Sequence, residues 1–230
     1  MGKANKQFKM NKLEQLIKEE LSQKTIYLDM DGVICDFDKQ TVALLSNDEI
    51  IKKFALTPKL SITTSKLNKI GIETREEFYE KLLILRDKCI NVNDPFDAYN
   101  KGSKNEFGFS VTHNMIRTWG PEFWSTMPWQ DGGKELVEFV RSLGISIEIL
   151  TAGKGSTADI GKKEWLSNNG MGDIPFNIVQ RGLDKGEYAD INKILIDDKL
   201  ENIQIFQKSG GLAVHHINTP NTINKLKSMI

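Results

Sequence analysis

The chain has 230 residues, enough for one large domain or for a core domain that carries a smaller insertion. Its 31 basic and 31 acidic side chains give a formal net charge of zero, which argues against broad, nonspecific binding to nucleic acid. No apolar run reaches the ~18 residues of a membrane-spanning helix. Cys35 and Cys89 have neither CxxC nor zinc-site spacing, so a reducing, cytoplasmic setting is expected.

The first half of the chain predicts a helix, one strand and a long insertion. Residues 1–24 carry apolar side chains at helical spacing, and the apolar run that follows predicts a buried strand over 25–30. The next such strand begins near residue 145, and a connection of that length must have structure of its own. We therefore expect an inserted, mainly helical cap over 38–120. Its predicted helices cover 40–54, 75–88 and 111–119.

The second half alternates short apolar runs with helical patterns. This alternation is typical of a doubly wound parallel sheet with a Rossmann-like α/β fold. The predicted core covers 25–37 and 121–230. Its predicted strands cover 145–151, 176–179, 193–196 and 212–214, and its predicted helices cover 134–143, 156–167, 200–208 and 221–228.

Four carboxylates follow two of these strands. Asp29 and Asp31 come directly after the first strand, and Asp197 and Asp198 come directly after the strand over 193–196. The carboxyl ends of parallel strands form the edge at which ligands bind. Crowded carboxylates repel one another unless a cation lies between them, and a set of oxygen ligands suits Mg²⁺. The sequence therefore predicts a magnesium-dependent enzyme of phosphoryl chemistry.

Further candidate residues lie near the other predicted strand ends. Thr151 ends the second strand, and its hydroxyl with the amides of Ala152 and Gly153 is suited to binding phosphoryl oxygens. Several lysines are candidates for neutralising a phosphate. Lys162 and Lys163 point about 100° apart on a helix, so only one of that pair can face a site. Lys185 is a third candidate.

The order of these motifs resembles a known superfamily. The segments Asp29-Met30-Asp31-Gly32-Val33, Ile149-Leu150-Thr151, Lys162-Lys163-Glu164-Trp165 and Ile196-Asp197-Asp198 resemble the four ordered motifs of the haloacid dehalogenase superfamily. Within it, they are most similar to the 5′(3′)-deoxyribonucleotidases and their bacterial and phage relatives. The stretch from Phe123 through Trp124 to Pro128 resembles the segment by which that family enters its core, and Asp184-Lys185 resembles a second Asp-Lys pair.

The resemblance implies a role for each residue. Asp29 would be the nucleophile that forms an aspartyl-phosphate, and Asp31 would be the general acid and base. Asp198 would coordinate Mg²⁺ directly with Asp29 and the Asp31 carbonyl, while Asp197 would support it. Lys162, which stands three residues before Trp165, fits the spacing of the phosphate-neutralising lysine.

The leading functional hypothesis is a phosphomonoesterase, specifically a 5′-nucleotidase for (deoxy)nucleoside monophosphates. Some of the aromatic residues between Phe96 and Trp129, Trp124 among them, are candidates for stacking on a base, although packing of the cap's own core is the alternative. A phosphatase for another small metabolite or for a nucleic-acid end is the second hypothesis. A non-catalytic binding protein of the same fold is the third.

Overall fold

A computed structural model describes residues 20–59, 62–153 and 157–230. Residues 1–19 of the predicted N-terminal helix lie outside the described residues. The described residues divide between two compact units. The described residues of the first unit are 20–35, 129–153 and 171–230, and those of the second are 36–59, 62–128 and 157–170. The predicted insertion over 38–120 falls within the second unit, and its action as a cap stays a prediction.

A parallel sheet of five strands forms the centre of the first unit. The strands are β1 (Thr25–Leu28), β2 (Ser146–Ala152), β3 (Phe176–Val179), β4 (Lys193–Asp197) and β5 (Leu212–His215). Their order across the sheet is β3-β2-β1-β4-β5. All four pairings are parallel, which confirms the predicted α/β fold class.

The path of the chain through the sheet reverses beside β1. From β1 the chain moves outward to β2 and β3, and it then returns to the other side of β1 to form β4 and β5. The register pairs Leu28 with Ile149 on one side and with Ile196 on the other. In an open parallel sheet, the point of reversal leaves a crevice at the carboxyl ends of the strands. That crevice lies between the ends of β1 and β4.

Apolar side chains explain why these segments form the middle of the sheet. All four residues of β1 are buried, as are Ile194, Leu195 and Ile196 of β4. A cluster of buried residues links four strands, β1 to β4, with the helix after β4. Its members are Tyr27, Leu150, Val179, Leu195 and Phe206. Continuous apolar runs of this kind are typical of strands covered on both faces.

The helices are short and occur in both units. They are α1 (Phe37–Leu45), α2 (Asp48–Leu56), α3 (Thr64–Lys69), α4 (Arg75–Cys89), α5 (Pro95–Phe107), α6 (Thr112–Trp119), α7 (Pro121–Ser125), α8 (Gly133–Ser142), α9 (Ala158–Asn168), α10 (Leu200–Lys208) and α11 (Thr219–Met229). A 3₁₀ helix covers Gly182–Tyr188. Among the described residues, no helix combines the length and the apolar character that crossing a membrane requires.

The predicted single helix over 40–54 is wrong, because the chain forms two helices there. Ser46 ends α1, and the side chain of Asn47 accepts a hydrogen bond from the Ile50 amide at 3.1 Å to cap α2. Asn at this position satisfies an amide that a helix start leaves without a partner. The break lets both helices contribute buried side chains, Leu44 from α1 and Phe54 from α2, to one apolar core.

Candidate active site

Three of the predicted carboxylates meet at the crevice beside β1. Asp29 follows β1 directly, Asp197 is the last residue of β4, and Asp198 comes next. The Asp29 amide donates to the Ile196 carbonyl at 3.0 Å, which aligns the two strand ends. One carboxylate oxygen from each of the three residues lies within 4.8 Å of the other two. Asp31 lies two residues after Asp29, and its charge acts on Asp198.

The loop after Asp29 is a tight turn that needs glycine. The Met30 carbonyl accepts hydrogen bonds from the amides of Ile34 and Cys35 at 2.9 and 2.8 Å. Gly32 has a φ of +75°, a conformation that side chains with a Cβ rarely adopt. A Cβ at Gly32 would lie 2.5 Å from Oδ2 of Asp198. Glycine at this position therefore allows the turn and also leaves room for the Asp198 carboxylate.

Lys185 lies between two of the carboxylates. This residue of the 3₁₀ helix is fully buried, and its Nζ lies 2.9 Å from Oδ2 of Asp29 and 2.6 Å from Oδ2 of Asp197. Burial lowers the pKa of Lys185, but the charges of Asp29 and Asp197 outweigh burial, so its pKa lies above the ordinary lysine value. Lys185 is therefore a fixed cation beside the predicted nucleophile.

Protein donors surround the Asp197 carboxylate on both oxygens. Oδ1 accepts from the Lys199 amide at 2.8 Å, and Oδ2 accepts from Lys185 at 2.6 Å. The Asn202 side-chain amide lies 3.0 Å from each oxygen. Burial and the charge of Asp29 raise the pKa of Asp197, whereas Lys185 opposes the rise. Because protein donors engage both of its oxygens, Asp197 is suited to holding the neighbouring residues of the site in place.

Asp198 differs from its neighbour in what surrounds its oxygens. Within the part of the chain that the structure describes, the buried Oδ1 of Asp198 has no hydrogen-bond partner. Burial raises the pKa of Asp198 to about 7, and the charges of Asp29 and Asp197 add to the rise. A buried carboxylate under such repulsion is stabilised by a cation. Asp198 and Asp29 therefore fit a divalent cation, and their oxygen donors suit Mg²⁺.

The predicted phosphate-binding residues lie at the end of β2, where Thr151 and Ala152 belong to the strand and Gly153 follows it. Thr151 is fully buried, and Ala152 ends the strand half-buried. The amide of Gly153 donates to the Val179 carbonyl at 2.9 Å. That N–H is engaged within the sheet, so it is not offered to an anion in this arrangement.

The remaining predicted residues lie in the second unit. Lys162 is fully buried with its Nζ 5.0 Å from the centre of the Trp124 ring, a distance at which a cation is attracted to an aromatic face. Trp124 donates from Nε1 to the Thr157 hydroxyl at 3.2 Å. Lys163 is exposed. Of the two neighbouring lysines, Lys162 is thus the one that faces inward.

The sequence interpretation named one of the residues in this network and missed another. Lys185, its third lysine candidate after Lys162 and Lys163, contacts Asp29. It did not name Asn202, which contacts Asp197 from the first turn of α10. The Asp184-Lys185 pair was the available signal for Lys185. For Asn202 no local pattern existed, since its contact depends on how α10 leaves the Asp198 turn.

Comparisons with known proteins find likeness among solved structures. No family model matches the chain, and no curated protein matches it. The chain is similar to a hydrolase from Streptococcus pneumoniae TIGR4, with 12% identity, coverage of 89% of this chain and 98% of that chain, and a TM-score of 0.46. It is similar to the magnesium-bound HAD-hydrolase YfnB from Bacillus subtilis, with 14% identity, coverage of 90% and 97%, and a TM-score of 0.49. It is also similar to a haloacid dehalogenase-like family hydrolase from Xanthomonas campestris, with 9% identity, coverage of 90% and 91%, and a TM-score of 0.49.

Proposed function

We propose that this protein is a magnesium-dependent phosphomonoesterase that works through an aspartyl-phosphate. The observation that carries the proposal is the meeting of Asp29, Asp197 and Asp198 at the sheet's point of reversal, with Lys185 held against Asp29. Phosphoryl transfer requires a placed nucleophile and positive charge around it far more than elaborate covalent chemistry. The crevice supplies both from side chains of one unit.

In the proposed reaction, Asp29 is the nucleophile. One of its carboxylate oxygens attacks phosphorus, the bond from phosphorus to the ester oxygen breaks, and the leaving oxygen takes a proton from Asp31. Asp31 then accepts a proton from water, whose oxygen attacks the phosphorus of the aspartyl-phosphate. This second step releases phosphate and restores the Asp29 carboxylate.

Lys185 and Mg²⁺ have different roles in the proposed reaction. Lys185 holds Oδ2 of Asp29 by its ion pair, so that the other oxygen has a fixed direction. Bound at Asp29 and Asp198, Mg²⁺ would supply charge that offsets the negative charge of the phosphoryl group and keeps the carboxylates ionised. Thr151, buried at the end of β2, is proposed to offer its hydroxyl to a phosphoryl oxygen.

For the substrate class we propose nucleoside monophosphates. The support is the motif resemblance to the deoxyribonucleotidases. The rings of Trp124, Phe37 and Phe123 lie with centres 4.9–6.0 Å apart and pack in the apolar core of the second unit, so the proposal does not rest on them. A small sugar phosphate is the competing substrate, since the same catalytic residues would act on it.

The test is phosphate release from nucleoside 5′- and 3′-monophosphates and sugar phosphates, each with Mg²⁺ and with EDTA. We expect turnover of nucleotides with Mg²⁺ and none with EDTA. Asp29→Asn should abolish turnover, whereas the matched Asp173→Asn, which changes an exposed carboxylate paired with Arg141, should retain it. Turnover of sugar phosphates alone would refute the nucleotide proposal. An active Asp29→Asn variant would refute the nucleophile.

A further inference from the structure

Asn202 contacts Asp197, one of the carboxylates of the site, and none of the sequence motifs described above includes it. It is the third residue of α10 and is 4% exposed. Its Nδ2 lies 3.0 Å from both Oδ1 and Oδ2 of Asp197. On its other side the amide packs on Gly182, where an added Cβ would lie 2.4 Å from Oδ1 of Asn202. The absence of a side chain at residue 182 therefore leaves the room that the amide occupies.

A continuous chain of contacts leads from Asn202 to the proposed nucleophile. The amide holds the Asp197 carboxylate, Oδ2 of Asp197 accepts from Nζ of Lys185 at 2.6 Å, and the same Nζ lies 2.9 Å from Oδ2 of Asp29. All four side chains are buried. Buried hydrogen-bonded networks of this kind hold their members in one arrangement, because an unsatisfied member is costly.

We propose that Asn202 is a positioning residue, which acts on catalysis through Asp197 and Lys185 and touches no substrate. The proposal rests on the proposed phosphomonoesterase function. Nδ2 donates to the carboxylate, which fixes its rotation so that Oδ2 points at Lys185. Lys185 is then held where it can pair with Asp29. Without the Asn202 amide, the Lys199 amide would be the one remaining anchor of the Asp197 carboxylate besides Lys185 among the described residues, and the lysine would gain freedom to leave Asp29.

The surroundings of residue 202 explain why an amide side chain suits this position better than an apolar or an acidic one. A leucine of similar size would remove the donor and leave the buried oxygens of Asp197 with fewer partners. An aspartate of the same shape would place a further negative charge beside Asp197 and Asp29. Asparagine supplies donors without adding charge to a cluster that already contains three carboxylates.

The chain offers a matched control for this position. Asn177 on β3 also donates from Nδ2 to a carboxylate, Oε2 of Glu148, at 2.8 Å. Neither Asn177 nor Glu148 belongs to the proposed site. Asn202→Leu and Asn177→Leu therefore remove the same kind of hydrogen bond, one inside the network and one outside it.

Steady-state kinetics of the magnesium-loaded protein is the first measurement. Because loss of a residue that supports a site's ligands from behind costs about 10- to 100-fold, we expect Asn202→Leu to lower kcat by that range while KM changes little. Asn177→Leu should retain wild-type kcat. If Asn202 acts through the lysine, then Lys185→Met and the double variant Lys185→Met/Asn202→Leu should have the same kcat.

The second measurement reads the network without any substrate. In ¹⁵N-labelled protein, the buried and hydrogen-bonded ammonium of Lys185 should give a protected ¹⁵N–¹H signal, identified by its loss in Lys185→Met. We expect Asn202→Leu to weaken or remove that signal and Asn177→Leu to leave it. Gly182→Ala keeps Asn202 but pushes on its amide, so it should reproduce both effects in milder form and serves if Asn202→Leu fails to fold.

The outcomes separate this proposal from the function on which it rests. An unchanged Lys185 signal and unchanged kcat in Asn202→Leu and Gly182→Ala would overturn the positioning role. Additive losses of kcat in the double variant would overturn the route through Lys185. If wild-type protein hydrolyses no phosphomonoester while its Lys185 signal still depends on Asn202, the proposed function fails and the network stands.

Discussion

Asp198 offers a direct test of the reasoning about the site, because its charge should weaken the fold until a cation binds. Its pKa in the folded protein is about 7, compared with an ordinary 3.8. The folded state thus holds the proton more tightly than the unfolded chain does. The contribution of this group to stability is greatest below the unfolded pKa and is lost as pH rises through 7. Because asparagine does not ionise, Asp198→Asn should remove this loss of stability at high pH.

The size of the effect follows from the two pKa values. For a group that titrates at about 7 when folded and near 4 when unfolded, linkage gives a loss of about 3 kcal/mol between pH 5 and pH 8. We therefore expect the free energy of unfolding of wild-type protein in EDTA to fall by about 3 kcal/mol more than that of Asp198→Asn over this range. Groups that do not interact with Asp198 contribute equally to both proteins and cancel in the difference.

Urea denaturation at pH 5 and pH 8, with EDTA and with Mg²⁺, measures both expectations. At pH 8, Mg²⁺ should stabilise the wild-type protein, because a cation that binds only the folded state adds its binding free energy. It should not stabilise Asp198→Asn. Asp173→Asn, which alters an exposed ion pair with Arg141, is the control and should behave as wild type in all four conditions.

Two results would refute this reasoning about Asp198. If Asp198→Asn and wild type lose equal stability between pH 5 and pH 8 in EDTA, the carboxylate does not titrate in this range in the folded protein. If Mg²⁺ stabilises Asp198→Asn as strongly as wild type, the cation does not bind at Asp198. Either result would remove the basis for assigning the metal to this residue.

Two further predictions concern the loop after β1. Gly32→Ala should destabilise the fold by about 1–2 kcal/mol through its positive φ and should also weaken Mg²⁺ binding, since the new Cβ would lie 2.5 Å from Asp198. Gly71→Ala is the control, because Gly71 has a φ of +77° and an added Cβ there would meet nothing within 4 Å. Its loss of stability in denaturation therefore measures the cost of a positive φ alone. Equal Mg²⁺ affinity of the two variants by calorimetry would contradict the proposed clash between the new Cβ at residue 32 and Asp198. Asp31→Asn should slow hydrolysis of alkyl phosphates by about 100-fold or more and of nitrophenyl phosphate least, because a good leaving group needs no proton. Equal losses on both ester types would exclude Asp31 as the general acid.

The sequence alone predicted the sheet well, because its signals are local. A buried parallel strand is a short apolar run, and β1, β4 and β5 each contain three consecutive apolar residues, whereas Glu148 interrupts β2 and Asn177 interrupts β3. Polar helices were harder to recognise. Helix α5 (Pro95–Phe107) was not predicted, since Gly102 and several polar residues weaken its pattern. The Asp94 cap, which accepts from the Asp97 amide at 2.8 Å, was the signal available in the sequence.

The sequence also predicted which carboxylates would share one edge, because strand ends of a parallel sheet lie together wherever the strands stand in order. It did not establish that Lys185 contacts Asp29, because that contact depends on how a 3₁₀ helix docks against α10, β2 and β3. The structure places Lys185 against Asp29. Likewise, Asp197 and Asp198 are chemically identical in the sequence, and only tertiary packing surrounds the first with donors and leaves Oδ1 of the second without one among the described residues. The local sequence thus determined which residue types stand at the strand ends. The contacts between distant segments determined the hydrogen-bond partners and charges that surround each of these side chains.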